Sequence, residues 1–490
     1  MNGAETDVRR GVGELSPRRR FAAVALAVAA LYAVIAALGP YGVVPVPVWP
    51  EVAQQLLQAR AWLGEDIFVV DDDRIELIRI SPRLDVTPYV AQRVVRDPRE
   101  DSVLANLACA VRIGPERGDL MPLQEAHTLG LVTGELLKER VECHVGFPPG
   151  PAALLLPLRA VAGGVIPVQL LAALLGGLAV ACMDRLFGLV VAGELGPPAA
   201  STAASSRTEL TLLAAFGTLW VWAAPQASTW LFSQTVATSA LAIAVLLAAV
   251  GRPWASGFAL ALAVASRPPM LLALPLLVVL LGRRAAATST RSPARAVAFS
   301  LAGLLSPTLA ALAVMGLLNW LRFGSPADFG YRHMLTPPVL LERMLAHGQL
   351  SAAFLAENLR YLLVEPPRLL GTFPFLVSDP WGMGILFVTP AVLVALLAVG
   401  RASGAPGLRA SAWLSTIAIT IPAALYFNTG WVQWGGRFLL DSWPIWLLLV
   451  AWGWRHAPRP LRLVLLVLSV SSNLWGALLT TFGVWPACCS

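Results

Sequence analysis

The chain has 490 residues, of which 57% are hydrophobic and only 13% charged, against about 25% charged in a soluble globular domain. That balance excludes a soluble enzyme and identifies an all-α polytopic membrane protein. The net charge of +7 is carried almost wholly by arginine, Lys138 being the single lysine, and its clustering at the ends of apolar runs argues for membrane orientation and against a nucleic-acid partner.

In chain order, residues 1–20 form an N-terminal tail that carries Arg9, Arg10, Arg18, Arg19 and Arg20 ahead of an apolar run at 21–38. The run is of span length and no small-residue cleavage site follows it, so residues 21–39 are expected to be a retained first transmembrane helix with a cytoplasmic N-terminus. Residues 40–148 are then an extracytoplasmic loop domain. Alternation at 66–70 and 74–78 suggests short strands, and 102–111 and 124–139 are expected to be helices. Cys109 and Cys143 share this segment and could pair in an oxidising compartment. The adjacent Cys488 and Cys489 suit lipidation better than metal binding.

Residues 149–318 hold transmembrane helices and one segment, 151–158, too short to cross a hydrocarbon core of about 30 Å and therefore re-entrant or interfacial. Spans are expected at 165–183, 210–224, 230–250, 256–265, 270–281 and 297–318, with Asp184, Arg185 and Arg207 in the loop after 183. Residues 319–383 form a second extracytoplasmic loop. The remaining spans, 384–399, 410–427, 438–454 and 463–484, fill the C-terminal part, 384–490. The total is about eleven transmembrane helices, and every interior loop carries arginine.

This topology gathers the unusual polar residues on the exterior side. Ionisable groups at membrane depth are costly enough to mark function, and Arg267, Arg437 and Asp441 are the clearest cases. A guanidinium fork suits a phosphate, because two of its donors can hold two oxygens at once. The prolines after Arg267 also break the helix there, which frees backbone groups that must line protein or water. The plainer alternatives are that Arg267 snorkels to the interface and that Arg437 and Asp441, four apart, pair with each other. Trp431, Trp434 and Trp443 suit either an interfacial aromatic belt or a platform for a sugar. No phosphate-cradling loop, zinc-protease motif, paired Cys-x-x-Cys or nucleophile elbow occurs. Ser325, Asp328 and His333 share a loop without forming a triad pattern.

Four stretches in one order carry a resemblance: GFPPGPAALLLP (146–157), SRPPMLLALPLL (266–277), NWLRFGSPADFGYRH (319–333) and GWVQWGGRFLLDSWPIWLLL (430–449). Together with a first span followed by a large exterior loop, they resemble the GT-C superfamily of membrane glycosyltransferases, in particular bacterial relatives of protein O-mannosyltransferases and of the aminoarabinose transferase. The resemblance implies transfer of a sugar, with inversion, from a polyprenyl-phosphate donor to a lipid, glycan or protein acceptor outside the cytoplasmic membrane of a bacterium. It implies no metal and no cofactor.

Such chemistry needs a carboxylate base at the acceptor hydroxyl and positive charge on the leaving phosphate. The family places an acidic residue early in the first exterior loop, where this chain has Glu51 and no aspartate; Asp66 is a nearby substitute, as are Glu65 and Asp71 to Asp73. Arg267 and Arg437 are the candidates for the donor phosphate; Glu142 and His144 lie where the resembled family has polar residues facing the site, and with Tyr331, Trp434 and Asp441 they are the candidates for substrate contacts. A transporter or lipid flippase is the alternative class, although no internal repeat of the transporter kind is visible. A noncatalytic member of the same fold is a third reading.

Overall fold

The computed structural model describes residues 16–38, six strand segments within 67–122 and 141–145, and residues 146–481 with breaks at 163–165, 197–202, 289–291, 335–337, 400–405 and 431–432. Glu51, Asp66 and the helix expected over 124–139 lie outside the described residues.

The chain enters through helix α1, Pro17–Leu38. The first loop then contributes β1 (Ile67–Asp71), β2 (Ile75–Ile80), β3 (Tyr89–Ala91), β4 (Leu107–Arg112), β5 (Leu120–Pro122) and β6 (Val141–Val145). All pair antiparallel, in the order β1-β2-β3-β6-β4-β5. The alternation read at 66–70 and 74–78 is realised as the β1–β2 pair. The helix expected over 102–111 is not formed, since residues 107–112 are a strand. The Ala-Cys-Ala core of β4 is neutral by propensity, and pairing on both sides with β6 and β5 decides it.

Beyond the sheet come α2 (Gly150–Ala162), α3 (Val168–Val191), α4 (Ala203–Phe216), α5 (Trp220–Ala223), α6 (Thr229–Ala249), α7 (Pro253–Ser266), α8 (Leu274–Thr288) and α9 (Pro293–Phe323). The second loop region carries α10 (Pro338–His347), α11 (Leu355–Leu363), the small hairpin β7 (Arg368–Leu369) and β8 (Leu376–Val377), and α12 (Ile385–Val388). Helices α13 (Pro406–Leu425), α14 (Trp443–Trp454) and α15 (Arg459–Thr481) complete the chain. Among the described residues, 7 helical stretches are long and apolar enough to cross a membrane: α1, α3, α6, Pro268–Thr288 ending in α8, α9, α13 and α15.

The other expected spans are built differently. The 210–224 run breaks between α4 and α5, α7 has 14 residues, and 384–399 is the short α12 followed by a 3-10 stretch, Pro390–Val399. The 438–454 run begins as a 3-10 stretch, Arg437–Ser442, before α14. Helix α2, at 13 residues, spans about 20 Å. That is too short to cross.

Buried tryptophans fasten these broken pieces. Trp220 stacks on Trp443 with centroids 5.0 Å apart, and the Trp443 indole donates to Thr218 Oγ1 at 3.0 Å. Tyr32 of α1 donates to the Ala215 carbonyl at 2.6 Å, next to the α4 terminus, where helical partners run out. Trp434 and Trp443 are both 0% exposed, so neither belongs to an interfacial belt. Their rings fill the space that the irregular backbone opens.

The end of the bundle away from the sheet is tied by buried charge. Asp184 does not sit in a loop: α3 runs on to Val191 and buries it completely. Arg20 of α1 donates to its carboxylate at 2.9–3.2 Å, Arg207 of α4 forms a second ion pair with it, and Thr211 donates at 2.8 Å. A buried carboxylate is tolerated only when paired in this way. Nearby on α4, Glu209 accepts from the Trp454 indole at 2.8 Å and lies 3.4 Å from Arg462.

Candidate anion-binding site

The opposite end holds the two arginines. Proline disfavours the helical conformation in the residue before it, and Pro268 accordingly turns Arg267 out of α7 to φ −149°, ψ 105°. The chain resumes as a 3-10 stretch, Pro268–Ala273, before α8. The break exposes the Ser266 carbonyl, which accepts from Ser233 of α6 at 3.0 Å.

A second break lies directly across. Gly430 has φ 119°, and a Cβ there would sit 2.5 Å from Gln433 Oε1 and 2.9 Å from Arg437 Nε. Only glycine fits both the conformation and the space. The Gln433 side chain threads this loop, its amide donating to the Trp381 and Thr429 carbonyls at 2.9 and 2.8 Å while its Oε1 accepts from the Arg437 backbone N–H at 3.0 Å. The 3-10 stretch from Arg437 leaves further carbonyls without helical partners. Two side chains of α6 meet them: Gln234 donates to the Arg437 carbonyl at 2.6 Å, and Thr238 to that of Leu440 at 3.0 Å. Satisfaction of freed backbone groups by a neighbouring helix is what irregular structure at membrane depth requires.

The charges do not pair as a regular helix would pair them. Asp441 pairs with Arg267, whose Nε lies 2.7 Å from Oδ1 and whose Nη2 donates to Oδ2 at 2.8 Å. Gln234 adds a second hydrogen-bond donor to this carboxylate at 2.9 Å. The 3-10 winding rotates residue 441 off the face that an i,i+4 pair would need. Arg437 is thereby left with no carboxylate within ion-pair distance among the described residues, and its Nε is buried without a hydrogen-bond partner. The cluster thus holds two guanidiniums and one carboxylate, the latter paired with Arg267, and carries a net charge of about +1.

Aromatic faces hold the cations in place. Arg267 and Arg437 approach the same Phe438 ring, at 5.4 and 5.3 Å from its centroid, and Arg437 also lies 5.8 Å from the ring of Trp230. Such contacts stabilise a desolvated cation by about 2 kcal/mol. Phe147, at the exit of β6, packs edge-on against Trp230 with centroids 4.7 Å apart, and lies 6.4 Å from Tyr331. Tyr331 is in the 3-10 turn Tyr331–His333, which packs against β4. Burial pushes the Tyr331 phenol above its usual pKa, against the opposing pull of Arg267, so its hydroxyl stays protonated and able to donate. The same loop is clipped by a 3.0 Å contact between His333 Nε2 and Asp328, with His333 stacked on Phe323.

Of the site residues expected from sequence, Arg267, Arg437, Asp441 and Tyr331 converge here. Glu142 and His144 occupy β6 a few residues before Phe147, opposite Val90 and Ala110 and opposite Ala108, respectively. Trp434 is placed in the core, packed against Gly476 of α15. Sequence reading missed Gln234, Trp230, Phe147 and Phe438. The available signal was the polar run Ser233-Gln234-Thr235 with Thr238 and Ser239 inside the apolar span of α6. Comparison of the chain with protein-family models, with curated proteins and with solved structures gives no match.

Proposed function

We propose that this chain is an integral-membrane glycosyltransferase that takes its sugar from a polyprenyl-phosphate donor. The observation that carries this reading is Arg437, a cation buried beside two aromatic rings with no carboxylate in ion-pair distance among the described residues. A buried unpaired charge costs several kcal/mol, and a phosphate delivered by the ligand would offset that cost with charge-assisted hydrogen bonds. Its depth, beside broken helices and not at a loop tip, suits a headgroup that arrives from the bilayer.

In this reading Asp441 is a positioning residue. It fixes Arg267, which with Arg437 flanks the phosphate. The acceptor hydroxyl attacks the anomeric carbon opposite the phosphate, a carboxylate of the first loop, Glu51 or Asp66, removes its proton, and the bond from carbon to phosphate oxygen breaks. Charge then accumulates on the departing phosphate, where the arginines stabilise it. The Tyr331 hydroxyl is poised to donate to the phosphate or the sugar. Because the opposite end of the bundle gathers Arg20, Arg207, Arg284, Arg455 and Arg462, we place that end in the cytoplasm and the site outside it.

Sugar transfer from a polyprenyl-phosphate donor, measured in proteoliposomes, tests the proposal. Arg437→Gln is expected to lower transfer about 10- to 100-fold, the loss of one charge-assisted interaction of roughly 1.5–3 kcal/mol. Unchanged transfer in this variant removes the arginines from the mechanism. Failure of the wild-type chain to bind polyprenyl phosphate removes the class.

A further inference from the structure

Cys109 and Cys143 are cross-strand partners. In the antiparallel β4–β6 pair, Cys109 stands directly opposite Cys143, flanked by the pairs Ala108 with His144 and Ala110 with Glu142. Residues directly opposite each other in an antiparallel ladder have Cα atoms about 4.5–5.5 Å apart and share a face of the sheet. A disulfide requires a Cα separation of about 4.4–6.8 Å. A slip of one residue would set alanine or another residue against each cysteine, so the coincidence depends on this register.

We propose that Cys109 and Cys143 form a disulfide in the folded protein, made after the first loop has reached an oxidising compartment. The step is thiol–disulfide exchange with a disulfide-bearing oxidoreductase. One cysteine, as thiolate, attacks a sulfur of the oxidoreductase and forms a mixed disulfide, releasing one enzyme thiolate. The second cysteine then displaces the other. Two thiols of this chain lose two electrons and two protons in total, and the oxidoreductase disulfide becomes a dithiol.

The bond joins the two strands that reach the arginine cluster from the sheet. Strand β4 packs against the Tyr331–His333 turn, and β6 runs directly into Gly146 and Phe147, the latter against Trp230. The disulfide therefore fixes the register of the strand that delivers Phe147. It requires only that the sheet lie in an oxidising compartment, and holds or fails independently of the transferase reading.

The test uses the full chain expressed in a bacterium, with thiol exchange stopped by acid and free thiols then blocked by N-ethylmaleimide at neutral pH in denaturant, followed by nonreducing digestion and mass spectrometry. A peptide pair linked through Cys109 and Cys143 is expected, converted by dithiothreitol into two newly alkylatable thiols. In Cys109→Ser, Cys143 is expected to become fully alkylated. Maleimide on both cysteines of the wild type, or a link from either to Cys488 or Cys489, overturns the proposal.

Discussion

Arg267→Gln would leave Asp441 buried at 3% exposure with the Gln234 amide as the remaining partner seen for its carboxylate. Removing one member of a buried pair costs about 3–5 kcal/mol because the other charge is stranded. The double variant Arg267→Gln with Asp441→Asn is expected to recover most of that loss, as measured by unfolding in detergent. If the single variant proves as stable as wild type, the pair is not a structural fastening. Arg437→Gln should behave in the opposite way, keeping or raising stability while losing ligand, since it removes a buried cation and strands nothing. On the proposed reading the two arginines separate on two axes, Arg267 in the stability of the site and Arg437 in its affinity for ligand.

At the level of elements, the site depends on two interrupted segments facing one regular helix. Gly430→Ala would place a methyl group against Gln433 and Arg437 in a backbone conformation that favours glycine. The expected outcome is a cost of about 1–3 kcal/mol and a weakened affinity for polyprenyl phosphate, from displacement of the Arg437 side chain. Unaltered affinity, read by titration with the labelled lipid, would show that the loop does not position the cation. The arginines were legible in the sequence because a charge inside an apolar run is conspicuous. Their partners were not. An Arg-x-x-x-Asp spacing implies a pair only on an α-helix, and residues 437–442 wind as 3-10 after Gly435-Gly436. Gln234 escaped notice because a neutral amide in an apolar span carries no charge to flag it, and its role follows only from carbonyls freed on distant segments. Asp184 was misplaced for a related reason: a charged residue near the end of an apolar run reads as the start of a loop, yet α3 keeps it buried by drawing arginines from α1 and α4.

Across the whole molecule, the short helix α7 sets a dimension. Its 14 residues rise about 21 Å, against a hydrocarbon core of about 30 Å, and Arg267 stands at its end. With its start near Arg252 and Arg284 at the arginine-rich end, the orientation proposed above would put the cluster below the far surface of an average bilayer, where lipid would have to thin to meet it. The lipid surroundings then act as a tuning parameter. Transfer measured in vesicles of short-, medium- and long-chain phosphatidylcholine is expected to decline as the chains lengthen, with protein unfolding unchanged; a flat response would mean that water or protein fills the gap. A headgroup bound at that depth need not leave the hydrocarbon boundary by its full height. The truncation of one helix would then lower the climb for a long-chain substrate, making membrane thickness a determinant of turnover as real as any side chain.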